Sequence, residues 1–469
     1  MNKRFRVCDL EQPFLLPPSL QDWLPESHLA RFVAEVTNEL DLSAIYAEYE
    51  RSDGRGLSAY HPLLLTRLLL YGYSVGMTSS RAMEKATYDH VAFRYLAADQ
   101  HPDHDTIASF RQRHLGALAG LFLQALRLCH KAGLVKLGNV ALDGTKILAN
   151  ASTHRSVTYQ QLKEREEHWK AEVTRLLTEA EETDRREDQQ FGPRKNGDPL
   201  PEELAHAQSR LKRIQQAKAE LEKEAQQRLA AVTSRQIERK PGRPRKDAAD
   251  THPVADTQQR DKEKKRRQRA RREAAAPTRQ YNFVDPDSRV MRDNARKCFV
   301  QAYNAQIAVD THRQVIVAAE ITQQVIDREQ LLPMVESIRS SAPALPQTIL
   351  ADAGYWDSAS LRDLSRQGLQ VLMSPDSQVQ NSGVPLPATV PKNEEATRMR
   401  ELLLSPIGRA LYKLRQATVE PVFGYIKEAR GLRRFRFRGL TRVAWEWKLI
   451  CATHNLLKLF RHRTAVATA

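Results

Sequence analysis

Two stretches far apart in the chain follow the same plan. Asn139-Val-Ala-Leu-Asp143-Gly144-Thr and Gln347-Thr-Ile-Leu-Ala-Asp352-Ala-Gly354 are short apolar runs closed by an aspartate, with glycine one or two residues on. Runs of that length, bounded by turn residues, read as buried strands, and strands buried on both faces belong to sheets covered by helices. The pair therefore constrains the chain to an α/β layout in which adjacent strand ends present two carboxylates side by side. Read singly, each aspartate is also the ordinary opening of a turn before glycine. Strand patterns at Phe299–Val309 and Val315–Ile321, joined by Asp310-Thr-His312, read as a hairpin of the same sheet. Asp327 is placed to cap a helix carrying Leu331, Met334, Val335 and Ile338, a helix is expected over Ser358–Gln367, and a strand near Leu369–Met373.

The stretch between the two aspartates, which stand 209 positions apart (352 − 143), holds a different kind of sequence. Over 155–280, Leu162, Trp169, Val173 and Leu176 keep one helical stripe, and Leu204, Leu211, Ile214 and Leu221 keep another, with a Gly/Pro-rich link between them. This reads as a charged helical hairpin whose seam either closes on itself or takes a second copy of the chain. After it come KPGRPRK (Lys240–Lys246) and KEKKRRQRARR (Lys262–Arg272). These runs have almost no apolar content and are expected to be disordered when free. Arg243 and Arg245 stand where an AT-hook would enter a minor groove; a basic linker is the plainer reading.

Residues 1–135 read as an all-α domain: helix spacing at Leu29, Phe32, Val33 and Val36, then helices over Pro62–Tyr73, Arg81–Leu96, Thr106–Leu118 and Leu115–Ala132. The Arg81–Leu118 pair reads either as a helix-turn-helix with Arg111, Arg113 and His114 on DNA, or as a plain bundle. The expected organisation is thus an N-terminal helical domain (1–135), the first part of an α/β core (136–154), the charged insertion (155–280), and the rest of the core with C-terminal helices (281–469).

A third acid lies in the most basic ordered stretch. Glu420 sits among Val419, Pro421, Val422 and Phe423, with Lys413, Arg415, Lys427, Arg430, Arg433, Arg434, Arg436 and Arg438 around it and Phe435 and Phe437 interleaved. It reads as a salt-bridge partner or as a metal ligand working on a polyanion held by those cations. The net charge of +16 points to nucleic acid. A membrane partner is not expected, because the apolar runs are far too short to span. The first residues, MNKRFRVCDLEQPF, lack an apolar signal core, so a cytoplasmic protein is expected. Four scattered cysteines (Cys8, Cys129, Cys298, Cys451) form no CxxC pair and read as reduced thiols.

Three carboxylates gathered together would repel and call for a cation. An oxygen-only ligand set suits Mg²⁺ or Mn²⁺, and two such ions about 3.5–4 Å apart support in-line phosphoryl transfer. At this point VALDGTKI, ILADAGYWD and YKLRQATVEPVFGYIK together resemble the three motifs of the DDE-type bacterial insertion-sequence transposases, and PDHDTIASFRQRH resembles part of their N-terminal helical domain. The resemblance implies an RNase H-like catalytic core with Asp143, Asp352 and Glu420 as catalytic metal ligands. It also implies that Tyr412, Arg415 and Lys427 touch DNA phosphates. The implied partners are double-stranded DNA, as terminal inverted repeats and target, and a second copy of the chain on that DNA. Between Arg415 and Glu420 stand Gln416–Val419, one residue more than the family's common spacing. In a regular helix that turns Arg415 away from Glu420, while Lys413 and Lys427, seven residues to either side, share its face; Pro421 is expected to kink the helix. Other readings of the same residues are a metal-dependent nuclease, an inactive DNA-binding copy, or a basic coiled-coil architectural protein.

Overall fold

A computed structural model describes residues 19–50, 59–191, 202–238, 268, 279–293, 297–375 and 394–468. The basic runs at 240–246 and 262–272, with Arg243 and Arg245, lie outside the described residues apart from position 268. The contacts sort the chain into two compact units, Met1–Asn150 with Asp287–Ala469, and Ala151–Pro286. No described helix is long and apolar enough to cross a membrane.

In the larger unit the chain begins with α1 (Leu29–Glu39), α2 (Ser43–Glu50), α3 (Pro62–Ser74), α4 (Ser80–Asp89), α5 (Val91–Leu96), α6 (His104–Arg113) and α7 (Leu115–Lys131). Capping follows the chemistry of the ends: His61 accepts from Leu63 N ahead of Pro62, and Asp103 Oδ1 accepts from Thr106 N at 2.6 Å. The single helix expected over Arg81–Leu96 is two, divided at His90, which takes extended backbone angles. The helix-turn-helix reading is corrected by burial. Arg111 is buried, donating to Thr78 O at 2.6 Å and Ser80 Oγ at 3.1 Å, and His114 is packed against Tyr49 and Phe110. Only Arg113 of the three is exposed. Two of the intended base-readers are committed to the helical core.

After α7 comes β1 (Asn139–Leu148). The smaller unit follows, with β2 (Ser156–Val157), α8 (Tyr159–Phe191), α9 (Glu202–Glu238) and β3 (Tyr281–Asn282). Its helices run antiparallel, as the pairings Tyr159–Glu222, Glu166–Lys218 and Trp169–Arg210 show. The seam is closed from within: Leu204, Ile214 and Leu221 are buried, the last two in a cluster with Leu162 and Tyr281. Among the described residues the seam is thus largely used within the hairpin, with Leu176 and Leu211 half-buried along it.

Returning to the larger unit, β4 (Arg289–Asp293), β5 (Cys298–Asp310), β6 (Ile316–Thr322), α10 (Leu331–Ser341), β7 (Thr348–Ala351), α11 (Ser358–Arg366) and β8 (Gln370–Met373) build the core. Then come α12 (Glu394–Leu404), α13 (Pro406–Gly424), a π-helical turn (Tyr425–Ala429) and α14 (Leu440–Thr468). The sheet runs β4-β5-β1-β7-β8, with β6 also on β5. Strand β5 is antiparallel to β1, β4 and β6, whereas β7 is parallel to β1 and β8 parallel to β7.

The N-terminal helices share the core of this unit with the C-terminal ones. Phe32 stacks 5.4 Å from Phe460, Cys129 Sγ lies 3.4 Å from Asn455 O, and Trp445 packs over Gly116. Two buried charges lock them. Glu446 accepts from Tyr73 Oη (3.0 Å) and from the backbone of Arg436 and Phe437, and Arg430 donates to Tyr73 O, Ile450 O and Thr453 Oγ1. Burial pushes the Arg430 guanidinium down to about 10, but it remains charged, with each of its nitrogens hydrogen-bonded.

Candidate active site and nucleic-acid face

Strand β1 does not stop at its aspartate, as expected, but continues to Leu148, because β5 pairs with it from Val140 to Leu148. On the opposite edge β7 pairs only through Ala141↔Leu350, and the next backbone partner there is Arg434, bridged to Leu148. Asp143 thus sits in a gap on one edge of an otherwise continuous strand. Asp352 follows directly on the end of β7, where it opens a short 3-10 turn, its Oδ1 accepting from Ala353 N at 2.7 Å. The repeated Asp-then-Gly pattern has put both acids beside the same opening.

Arg415 closes the opening from α13. Its side chain is 6 % exposed, with Nη1 3.4 Å from Asp143 Oδ2 and Nη2 3.9 Å from Asp352 Oδ1. Its Nε is buried with no hydrogen-bond partner among the described residues, and its guanidinium lies 5.9 Å from the ring of Tyr412. Burial pushes the Asp143 carboxyl up to about 6; the charges of Asp352 and Asp327 add to the rise, while Arg415 and the Gly144 N–H oppose it. Tyr412, whose hydroxyl burial also pushes up, and Arg415 were both expected at DNA phosphates; both are turned into the fold toward the aspartates.

Glu420 is exposed on α13. Five residues on from Arg415, it is turned by about 140° around the helix. Among the described residues no three His, Cys, Asp or Glu groups gather as a metal site. Helix α13 runs through Pro421 without ending. The carbonyl that proline leaves without its helical donor, Ala417 O, is taken by Gln314 Nε2 at 3.1 Å. The π-helical turn begins four residues later, and its wider winding shifts Lys427 out of the straight-helix register with Lys413 and Glu420. Lys427 is half-buried and donates to Thr145 Oγ1, two residues beyond Asp143 on the same face of β1. Lys413 is exposed.

Beyond the π turn, residues 432–438 form a strap across the end of β1. Leu148 N donates to Arg433 O at 3.0 Å and Phe435 N to Leu148 O at 2.9 Å; Asn150 Nδ2 donates to Arg436 O and Arg438 Nε to Asn150 O. Leu432 and Phe435 are buried and Phe437 is half-buried, so Arg433, Arg434, Arg436 and Arg438 are left on the outside. Arg433 also pairs with Glu428, and Arg436 Nε reaches Thr78 Oγ1 at 2.9 Å.

The residues present fit a hard divalent cation in their chemistry. Two carboxylates converge on one shared positive charge, here a guanidinium, and all donors are oxygens. A group that sequence reading assigned differently stands next to them. Asp327, expected to cap a helix, begins a separate 3-10 turn, while α10 starts at Leu331 without a side-chain cap. Its carboxylate accepts instead from Asn304 and Gln306. The amides Asn304 and Gln306, buried side by side in the interior run of β5, were the signal that could have found it.

Two family profiles match the chain: a transposase domain over residues 18–113 and a transposase DDE domain over residues 381–460. No curated protein and no solved structure matches it.

Proposed function

Since this chain is a DDE-type insertion-sequence transposase, an enzyme acting on DNA by metal-dependent strand cleavage and strand transfer, we propose that Asp143, Asp352 and Glu420 are its metal ligands on an RNase H-like core. The observation that carries this reading is the convergence of Asp143 and Asp352, from adjacent parallel strands, on one guanidinium at the gap in the β1 edge. The sheet order supports the core assignment: a central strand with an antiparallel hairpin on one side and two parallel strands on the other. DDE transposase domains generally use divalent metal ions; here the ions are two Mg²⁺ or Mn²⁺, which when bound polarise the scissile phosphate and make water or a 3′-hydroxyl a competent nucleophile.

The chain's own residues supply the rest. Asp143 and Asp352 hold their carboxylates at the gap with one oxygen each anchored on a backbone N–H, and both face the Arg415 guanidinium. Glu420 adds the third carboxylate from the exposed face of α13. Arg433, Arg434, Arg436 and Arg438, with Lys413 and Lys427, hold the phosphates of the element's terminal repeat across that opening. Joining two ends needs two sites, so the working form is a homodimer on DNA, held through a surface other than the closed seam of α8 and α9. The enzyme works in the cytoplasm, with the DNA it acts on.

The test is nicking of a labelled terminal-repeat duplex against a scrambled duplex in Mg²⁺. Element-specific nicking that disappears in Asp143→Asn supports the reading; equal nicking of both duplexes makes the protein a general nuclease, and metal-independent nicking removes the assignment.

A further inference from the structure

Both glycines of the repeated aspartate pattern face one side chain. A methyl on Gly144 would run into Gln306 Nε2 and come 2.9 Å from Asp327 Oδ1, and a methyl on Gly354 would lie 3.7 Å from Asp327 Oδ2. The β1 position next to Asp143 and the turn opened by Asp352 therefore border the same carboxylate, and at Gly144 a side chain would displace it and its partner Gln306. Asp327 Oδ1 accepts from Asn304 Nδ2 at 2.6 Å and from Gln306 Nε2 at 2.7 Å. Gln306 Oε1 in turn accepts from the hydroxyl of Tyr355, which is buried and ends the 3-10 turn opened by Asp352. On the other side, Gln306 is the register partner of Gly144, next to Asp143 on β1. Arg328 adds a second tie, its Nη2 3.7 Å from Asp357 Oδ1 just beyond the same turn.

We propose that Asp327 is a positioning residue for the metal-binding aspartates, setting the separation of Asp143 and Asp352 through Gln306, Tyr355 and the backbone at Gly144. A carboxylate at this place offers the amides only an acceptor. It takes two amide donors on one oxygen and fixes which way both amides point, so Gln306 must present its oxygen to Tyr355. The chain Asp327–Gln306–Tyr355 thus has one allowed polarity, and a carboxylate pair meant to share cations needs its spacing held to a fraction of an ångström. The inference rests on the reading of Asp143 and Asp352 as metal ligands.

The experiment is titration of the full-length, metal-free protein with Mn²⁺, followed by electron paramagnetic resonance, alongside circular dichroism to verify the fold. Asp327→Ala is expected to weaken Mn²⁺ binding by about tenfold or more, the range seen when partners of metal ligands are removed. Asp327→Asn, which keeps an acceptor oxygen in place, recovers most of that loss. Tyr355→Phe removes one link only and weakens binding by roughly two- to fivefold; it carries the test if Asp327→Ala does not fold. Unchanged Mn²⁺ affinity in folded Asp327→Ala, or in Tyr355→Phe where that variant carries the test, overturns the proposal. So does Asp327→Asn as weak as Asp327→Ala with one ion fewer bound, which would make Asp327 a ligand itself. Asp143→Asn is run in parallel: if it binds Mn²⁺ like the parent, the ligand assignment has failed rather than the positioning role alone.

Discussion

Arg415 and the arginines of the strap carry the same charge and do opposite work. Arg415 is buried, unable to reach solvent, and spans two carboxylates at 3.4 and 3.9 Å. Arg433, Arg434, Arg436 and Arg438 stand on the outside of a segment whose backbone is pinned to β1. A charge in the first setting is bound by geometry, and removing it leaves two carboxylates unpaired. Charges in the second act as a sum, each neutralising a phosphate and releasing a counterion. The comparison separates residues that decide chemistry from residues that decide affinity, and it can be broken at either end.

The largest effect belongs to the three carboxylates proposed as metal ligands. Asp143→Asn, Asp352→Asn and Glu420→Gln are each expected to lower nicking by roughly a thousandfold, the scale of losing an electrostatic element of a transition state. DNA affinity should stay within about twofold, since none of the three neutralises a phosphate. Single-turnover nicking beside an equilibrium binding assay checks both. Comparable nicking by any one of them would remove that residue from the site; Glu420 is the sharpest case because it is exposed and turned from Arg415.

Next comes Arg415. Arg415→Ala leaves two partly buried carboxylates facing each other, and the metal-free protein should lose roughly 2–4 kcal/mol, somewhat less than a fully enclosed broken pair. Bound Mg²⁺ restores the missing charge, so the gain in Tm on adding Mg²⁺ should be larger in the mutant than in the parent. Arg415→Lys should recover only part of the loss, because an ammonium cannot fork across both acids. Equal Mg²⁺ gains in parent and mutant would mean Arg415 and the cation do not share a place.

A smaller effect follows from Asp143, whose carboxyl burial pushes up to about 6 from an ordinary value of 3.8. A raised carboxyl favours the protonated form in the fold. The stability it lends is complete below its ordinary value and is lost as pH rises through about 6. The metal-free protein should therefore soften by a few degrees between pH 4 and pH 7, roughly the Tm shift of one or two kcal/mol. Asp143→Asn should flatten that decline, as read from melting curves across the window. A steeper decline in the mutant would contradict the assignment of the pH effect to this group.

How much of this was legible follows the same division. The strands bearing the aspartates, the β5–β6 hairpin and the helical hairpin were written in periodicity and composition, because burial on two faces or one leaves a regular trace; β4 (Arg289–Asp293) was not. The destinations of Arg111, Arg415 and Asp327 were not. Each is a polar residue whose partner lies far along the chain: Thr78 O for Arg111, Asp143 for Arg415, Asn304 and Gln306 for Asp327. A local window reads such residues as surface charge or helix cap, which is the commoner use of the same side chain. The continuation of β1 past Asp143 was hidden for a similar reason, since only pairing with β5 sustains it.

The smallest single effects belong to the strap, and they test whether its charges do add. Replacing one exposed arginine by alanine should weaken binding to the terminal-repeat duplex about threefold at physiological salt. It should also lower the slope of log affinity against log salt by about 0.9, the share of one phosphate on duplex DNA. Arg434→Ala should show this in full, since Arg434 contributes its backbone to the bridge with Leu148 and its exposed side chain outward. Arg433→Ala should show less, because Arg433 already pairs with Glu428 and must exchange that partner for a phosphate. Combining Arg433→Ala with Arg434→Ala should give the sum of the two single effects in both affinity and slope, with nicking at saturating DNA unaltered. Affinities measured from low to moderate salt on the same duplex supply both numbers. A loss of nicking at saturating DNA in Arg434→Ala would move this arginine to the interior class, and an unaltered slope in the double mutant would mean that the strap faces away from the DNA.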